Sequence, residues 1–361
     1  MTVEPPSGSS SSRRRLLRSL AALPWVPPGI TGALAAVPPG GPGEGRRFRN
    51  PPGSPEPGGS ALDWITFSWR RLRNDGIPTV LPPGHVLPPG EVRAGLERLG
   101  ARDGVTWLGH ASFLLRLGGR TLVTDPFLSD HATPYPPLGP KRFAPPGLRP
   151  RELPPADVVL LSHNHYDHLD LPTLAALPGA ERAVLVTALG VGRYLGGVRF
   201  GQAHELGWHQ RVEVRGMTIT ALPAIHFSKR GLFDRDATLW CGFLVEDGAT
   251  GRRLYFAGDT AYGPVFPELG ARYPAPDLAL VPIGAYAPRD MMKGTHCTPE
   301  EGLRLGLDMG AKAMCAMHWG AIRLTDEDSF EPPGRFRAAA EAAGVGPERA
   351  WVLAVGETRA F

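Results

Sequence analysis

Apolar residues in this chain gather into short runs of strand length, and several of the runs end against a histidine or an aspartate. The clearest is Val158-Val159-Leu160-Leu161, four β-branched or leucine residues that fit a buried strand. It empties into Ser162-His163-Asn164-His165-Tyr166-Asp167-His168. Residues two apart on an extended chain point to the same side, which aims His163 and His165 together. The loop then turns and presents Asp167 and His168 as a second pair. A short helix should follow from about residue 169, with Asp170 near its cap and Pro172 in its first turn. Three further apolar segments end in the same manner: 218–225 before His226, 254–258 before Asp259, and 313–317 before His318.

The remaining pattern predicts an alternation of strands and helices, hence an α/β chain. Residues 105–108, 113–117 and 121–125 read as strands, the last two joined by a Gly118-Gly119 turn. Residues 183–188 read as another strand, and 212–214 with 217–222 as a hairpin about Arg215-Gly216. Thr298-Pro299-Glu300-Glu301 has the form of a capping box with proline at the first helical position, so a helix should run to about 309 and stop at Gly310. A last helix over 335–343 and a strand within 350–355 close the chain. Between 282 and 298 the sequence is loop-like. Near the start, apolar residues at 61, 62, 65, 69 and 72 have helical spacing, which predicts a helix packed on the body; its aromatics with Arg70, Arg71 and Arg73 offer a membrane surface as the alternative.

With 361 residues and 42% apolar content, the chain can bury one large core or two modest ones. Its net charge of +4 is unevenly spread: residues 1–50 hold seven arginines against Glu4 and Glu44, a local +5, which leaves −1 for the rest. A basic body suited to nucleic acid is therefore not expected. Cys241, Cys297 and Cys315 are far apart and form no Cys-x-x-Cys pair, so neither a disulfide framework nor a thiolate metal site is indicated. Residues 1–60, dense in Pro, Gly and Ser, are expected to be a disordered basic leader, and 61–361 the folded body. Within the leader, Ser12-Arg13-Arg14-Arg15-Leu16-Leu17-Arg18 is similar to a twin-arginine export signal. Pro24, Pro27 and Pro28 interrupt the apolar stretch that follows, so a tail touching anionic lipid, or a cytoplasmic protein, are the alternatives.

Four imidazole or carboxylate groups at i, i+2, i+4 and i+5 make little sense without a cation, because packing them together would bury several polar groups unpaired. Imidazole and carboxylate without thiolate suit zinc, with iron or manganese as alternatives. His-x-His-x-Asp-His after an apolar strand resembles the metallo-β-lactamase superfamily. That resemblance implies an αβ/βα sandwich of two mixed β-sheets flanked by helices, with two metals at the shared sheet edge. It implies that His163, His165 and His226 hold one ion, that Asp167, His168 and His318 hold the other, and that Asp259 bridges them. It also places His296 near the active site, where together with Asp167 it is a candidate catalytic residue.

Longer blocks narrow the resemblance. Trp107-Leu108-Gly109-His110-Ala111-Ser112, Thr124-Asp125-Pro126, Gly139-Pro140-Lys141-Arg142-Phe143, Phe256-Ala257-Gly258-Asp259-Thr260, Pro282-Ile283-Gly284-Ala285-Tyr286 and His318-Trp319-Gly320 resemble the branch of N-acylphosphatidylethanolamine-hydrolysing phospholipase D, over about residues 61–361. The branch implies attack of a metal-activated water on phosphorus, with release of phosphatidic acid and an N-acylethanolamine and no protein nucleophile. Tyr166, Lys229 and Arg230 are the candidate substrate contacts. Trp64, Phe67, Trp69, Phe227, Leu232 and Phe233 are candidates to flank a lipid groove. A phospholipid or another phosphodiester is thus the expected partner, with a membrane surface and a second copy of the chain as further candidates. The alternative is a metal-dependent hydrolase of a soluble ester, lactone or cyclic phosphodiester. Asp125 reads equally as a turn cap or as a carboxylate orienting a ligand histidine, and His110 as a loop residue or one facing the site.

Overall fold

Two turns in which consecutive residues adopt positive φ set hairpin registers in the fold. Gly118 and Gly119 lie at φ 56° and 74°, Arg215 and Gly216 at 54° and 82°, the backbone that a two-residue type I′ hairpin requires. They pair Leu117 with Arg120 and Val214 with Met217. The computed structural model of the protein describes residues 47–74 and 79–361. Helices α1 (Ala61–Asn74) and α2 (Pro89–Leu99) precede strands β1 (Gly104–Gly109), β2 (Ser112–Leu117), β3 (Arg120–Thr124) and β4 (Val158–Leu161). Helix α3 (Leu171–Ala176) leads to β5 (Val184–Ala188), β6 (Gln202–Leu206), β7 (Arg211–Val214), β8 (Met217–Pro223), β9 (Cys241–Asp247) and β10 (Arg253–Phe256). Then come α4 (Val265–Arg272), β11 (Leu278–Pro282), α5 (Arg289–Met292), α6 (Pro299–Asp308), β12 (Ala313–Met317), α7 (Glu331–Ala342), β13 (Ala350–Trp351) and β14 (Thr358–Ala360).

The strands form two sheets, ordered β14-β1-β2-β3-β4-β5-β6 and β13-β12-β11-β10-β9-β8-β7. Both are mixed. In the first, β14 through β3 pair antiparallel and β3 through β6 parallel; in the second, β7 through β10 are antiparallel and β10 through β13 parallel. One continuous apolar core draws side chains from both sheets. Every residue of β4, β5, β11 and β12 is buried, which explains why these strands are almost continuously apolar in sequence instead of alternating. Helix α6 lies over β11 and β12 with α4 and α7 beside it. It starts with the expected reciprocal cap: Glu301 N–H donates to Thr298 Oγ1 and Thr298 N–H to Glu301 Oε2. The fold is the expected α/β sandwich of two mixed sheets flanked by helices.

Several expectations need correction. The last apolar segment forms only the two-residue β13, and the chain then crosses to add β14 to the other sheet beside β1. The loop-like stretch 282–298 contains α5, and α7 starts at Glu331 because Pro332 and Pro333 fit the first helical turn. Residues 47–60, expected to belong to a disordered leader, are placed against the body. Arg47 donates to the carbonyls of Phe233 and Arg235, Phe48 N–H to Asp236, and Gly58 N–H to Asp290. Their prolines restrict an extended segment whose polar groups find partners on the body, so a periodic pattern was never needed to order it. The twin-arginine-like stretch lies outside the described residues. Helix α1 forms as predicted, but its anchor is Phe67, packed against Met291 and Met292. The expected packing stripe faces outward: Leu62, Ile65 and Trp69 are more than half exposed. No helix among the described residues is long and apolar enough to cross a membrane.

Candidate active site

The chemical groups converge where strands end. His163, His165, Asp167 and His168 follow β4, His226 follows β8, Asp259 follows β10 and His318 follows β12. Carboxyl ends of parallel strands are where open α/β sheets place their ligands, and here both sheets contribute. His110 and Asp125 arrive by the same logic after β1 and β3, both with positive φ. His296 comes from the segment between α5 and α6. Arg289 fixes it, donating through Nη1 to the His296 carbonyl at 2.8 Å while Nη2 pairs with Glu301.

Two groups of donors result. In the first, His165 Nδ1 lies 2.8 Å from His163 Nε2 and 3.2 Å from His226 Nε2. In the second, donor atoms of Asp167, His168, His318 and His110 all lie within 4.8 Å of one another. Asp259 stands between the groups: its Oδ2 is 3.0 Å from His318 Nε2, 3.2 Å from His168 Nε2, 3.7 Å from His226 Nε2 and 3.9 Å from His296 Nδ1.

On three of the rings the outer nitrogen has a defined partner, which leaves the inner one free to bind. His168 Nδ1 meets Asp125 Oδ2 at 2.7 Å, and Asp125 also accepts from the Ser162 N–H at 2.7 Å and from the Ser162 hydroxyl. His163 Nδ1 meets the Ser162 hydroxyl, and His226 Nδ1 meets the Thr295 carbonyl, both at 2.8 Å. Asp125 therefore orients a ligand histidine and is more than a turn cap. His110 also belongs to the site, with Nε2 2.9 Å from Asp167 Oδ2 and its carbonyl accepting the His318 N–H.

Electrostatics favour lone pairs over protons on most of these rings. Burial first, then the neighbouring imidazoles, hold His165 down at about 3, and burial with His318 beside it holds His110 at about 3. Burial holds His226 at about 4 and depresses His163 and His296 well below the usual histidine range. Burial works against charge on Asp167 and Asp259 as well, but the facing histidines outweigh it and keep both carboxyls ionised. His168 is the exception: burial would lower it, yet Asp259, Asp167 and Asp125 together push it well above 6.5. A cation is what this set of groups calls for. His168 Nε2, His318 Nε2, His296 Nδ1 and Asp259 Oδ1 are buried without a hydrogen-bond partner among the described residues, a costly state for polar atoms unless an ion takes them up. The residues fit a pair of metal ions on chemical grounds.

The candidate substrate contacts separate. Lys229 is exposed at the rim, its N–H tied to Asn164 Oδ1 at 3.0 Å. Tyr166 is half-buried, and its hydroxyl donates to the Arg230 carbonyl. Arg230, expected to meet phosphate, instead commits Nη1 to two carbonyls of the ligand loop. Phe227 lies with its ring 4.5 Å from that of His165, Leu232 and Phe233 are 85% and 86% exposed beyond it, and Phe67 is buried away from solvent. Sequence reasoning missed Asn50, whose Oδ1 accepts from the His226 N–H at 2.9 Å and from Trp240 Nε1 at 3.0 Å. It also gave no role to Ser162 and Thr295. Asn50 sits in an aperiodic Pro/Gly-rich stretch where no sequence signal marks it. Cys241, Cys297 and Cys315 are buried free thiols.

A family model described as a beta-lactamase superfamily domain matches residues 120–319. An uncharacterized protein of Mycobacterium tuberculosis is 40% identical over 278 residues, 76% of this chain and 72% of that protein. The N-acyl-phosphatidylethanolamine-hydrolyzing phospholipase D 1 of Caenorhabditis elegans is 36% identical over 249 residues, 66% of this chain and 69% of the relative. Igni18, described as a metallo hydrolase from Ignicoccus hospitalis, shares the fold with a TM-score of 0.51 at 21% identity, over 72% of this chain and 98% of its own.

Proposed function

The chain belongs to the metallo-β-lactamase superfamily and is a metal-dependent hydrolase, and from that premise we propose that it cleaves a phosphodiester lipid, N-acylphosphatidylethanolamine, in the manner of a phospholipase D. What supports this substrate class is the relative of that name at 36% identity across two thirds of the chain. The exposed Leu232 and Phe233, carried on the loop that follows His226, suit a substrate presented at a lipid surface.

In this proposal His163, His165 and His226 hold one ion, Asp167, His168 and His318 the other, and Asp259 reaches both. Zinc is the preferred metal, iron and manganese the alternatives. A bound pair of such ions supplies Lewis acidity for the phosphoryl oxygens and lowers the pKa of water from about 15.7 toward 7. The chain's residues do the rest. Asp125, Ser162 and Thr295 fix which nitrogen of His168, His163 and His226 faces inward. His110 Nε2 lies 2.9 Å from Asp167 Oδ2, the same oxygen that faces His168 and His318, and so helps to fix that carboxylate. His296, kept neutral by burial, with Nδ1 3.9 Å from Asp259 Oδ2 and no hydrogen-bond partner for that atom among the described residues, is the group we assign to hold the substrate beside Asp259. Lys229, exposed beside the ligand loop, is assigned to the phosphate's outer charge.

The test is a side-by-side assay in mixed micelles of N-acylphosphatidylethanolamine, phosphatidylcholine and a small chromogenic phosphodiester, following release of phosphatidic acid and N-acylethanolamine. The expected result is a specificity constant highest for the N-acylated lipid. A clear preference for the soluble diester would replace this reading with that of a soluble-substrate hydrolase.

A further inference from the structure

Arg230 lies four residues beyond His226, on the loop between β8 and β9, and it grips the ligand loop at both ends. Its Nη1 donates to the carbonyls of Asn164 at 2.9 Å and Leu169 at 2.8 Å. Between those carbonyls lie His165, Asp167 and His168, and His163 directly precedes them. The middle of the loop is held too: the guanidinium carbon stacks 4.0 Å from the centre of the Tyr166 ring, and the Tyr166 hydroxyl returns a hydrogen bond to the Arg230 carbonyl at 3.0 Å.

The grip is useful only if its base is fixed, and it is. Asp234 Oδ1 accepts from the N–H groups of Arg230 and Gly231 at 3.0 and 2.7 Å, and its Oδ2 accepts from the Tyr194 hydroxyl at 2.7 Å. Ser228 Oγ donates to the Thr238 carbonyl, and Asp236 N–H to the Ser228 carbonyl, which closes the loop on itself. A planar guanidinium can lie flat on an aromatic ring while one nitrogen spans two carbonyls; a lysine ammonium can reach a carbonyl but cannot do both.

We propose that Arg230 is a positioning residue: it holds residues 164–169 in the one shape that points His165, Asp167 and His168 at the two metals. This rests on the binuclear reading above. Residues that orient ligands from behind typically account for about 10–100-fold in metal affinity, and the segment Arg230 braces carries three proposed ligands.

The experiment uses the full chain, stripped with chelator and titrated with Co²⁺ against a competing chelator, with the visible spectrum recorded. Thermal melts are run on the stripped and loaded forms. Arg230→Met and Arg230→Lys are each expected to bind at least one ion about 10–100-fold more weakly and to alter the cobalt spectrum. The stripped variants should melt close to the stripped wild type, because the core that holds the sandwich is elsewhere. Tyr166→Leu, which removes the stacking ring and its hydroxyl's hydrogen bond to the Arg230 carbonyl but keeps the guanidinium and the two carbonyls it spans, should show a smaller loss in the same direction and gives a second reading should the arginine variants fold poorly. Wild-type affinity in Arg230→Lys would show that charge, not shape, is what matters and would overturn the proposal. So would a stripped-form melting loss as large as the loaded-form loss. Wild-type protein that takes up no cobalt would overturn the metal-centre reading itself, whereas normal wild-type uptake with unchanged variants overturns only the role of Arg230.

Discussion

Asp125 offers the sharpest test of how the site is built, because one carboxylate takes three hydrogen bonds at zero exposure: from His168 Nδ1, the Ser162 N–H and the Ser162 hydroxyl. Asp125→Asn keeps the shape and changes the hydrogen-bond pattern. If the new amide oxygen still accepts from the Ser162 N–H, the amide nitrogen faces His168 Nδ1, and donor meets donor. His168 can answer only by moving its proton to Nε2, the atom that lies 3.2 Å from Asp259 Oδ2 and belongs to the proposed metal site. The expected cost is about 10–100-fold in affinity for one ion, or roughly 1.4–2.7 kcal/mol. Leaving a buried donor unmatched would remove about 1–3 kcal/mol of stability in addition. Zinc titration of the stripped protein against a chromogenic chelator would read this directly. The ion held by Asp167, His168 and His318 should weaken while the one held by His163, His165 and His226 is retained. Affinities for both ions within twofold of wild type would refute the tautomer reasoning.

Other consequences can be checked alongside. His165→Ala and Asp167→Asn should each reduce hydrolysis to background while circular dichroism stays that of the wild type, since the core between the sheets contains neither residue; full activity in either variant would show that the site is misassigned. Deleting residues 2–45 should alter membrane association in cell fractionation without changing turnover of a soluble diester. Asn50→Ala, which removes the acceptor for the His226 N–H and Trp240 Nε1, should lower stability by about 1–3 kcal/mol in denaturant melts. Exchanging Leu232 and Phe233 for serine should weaken vesicle binding by about tenfold or more, at roughly 1.5–3 kcal/mol per buried side chain, and leave the small diester unaffected; unchanged sedimentation with vesicles would remove these residues from the lipid surface.

Much of this molecule is legible in its sequence where one periodicity does one job. Val158-Val159-Leu160-Leu161 is readable because a strand buried on both faces needs an unbroken apolar run, and Arg215-Gly216 because few residues tolerate the backbone of a two-residue turn. The chemical pattern of His163 through His168 was equally plain. What stayed hidden was tertiary. Asn50 acts from an extended segment by a single side-chain oxygen, and nothing local to it predicts the partner. The stripe Leu62, Ile65 and Trp69 had helical spacing but no element among the described residues to cover it, while Phe67 found the methionines of α5. Arg230 read as a candidate phosphate contact, since sequence does not reveal that the carbonyls of Asn164 and Leu169 would turn toward it. β14 was missed because Thr358, Arg359 and Ala360 are polar or small, and only the free edge of β1 makes them a strand.

The placement of the proposed ligands explains why they are so far apart along the chain. His110, Asp125 and the loop after β4 hang from the first sheet, while His226, Asp259 and His318 hang from the second. No sheet alone carries a complete set: the trio His163, His165 and His226 needs both, and so do Asp167, His168 and His318. Asp259, from the second sheet, makes its shortest contacts with one histidine from each, His318 and His168. A centre assembled in this way reports on how the two sheets meet, since a shift of one against the other by even an ångström would spoil both sets together. It follows that the side chains bracing the seam, Asp125 and Arg230 from behind the β4 loop and Asn50 from across His226, would bear on the chemistry through the proposed ligands they hold in place.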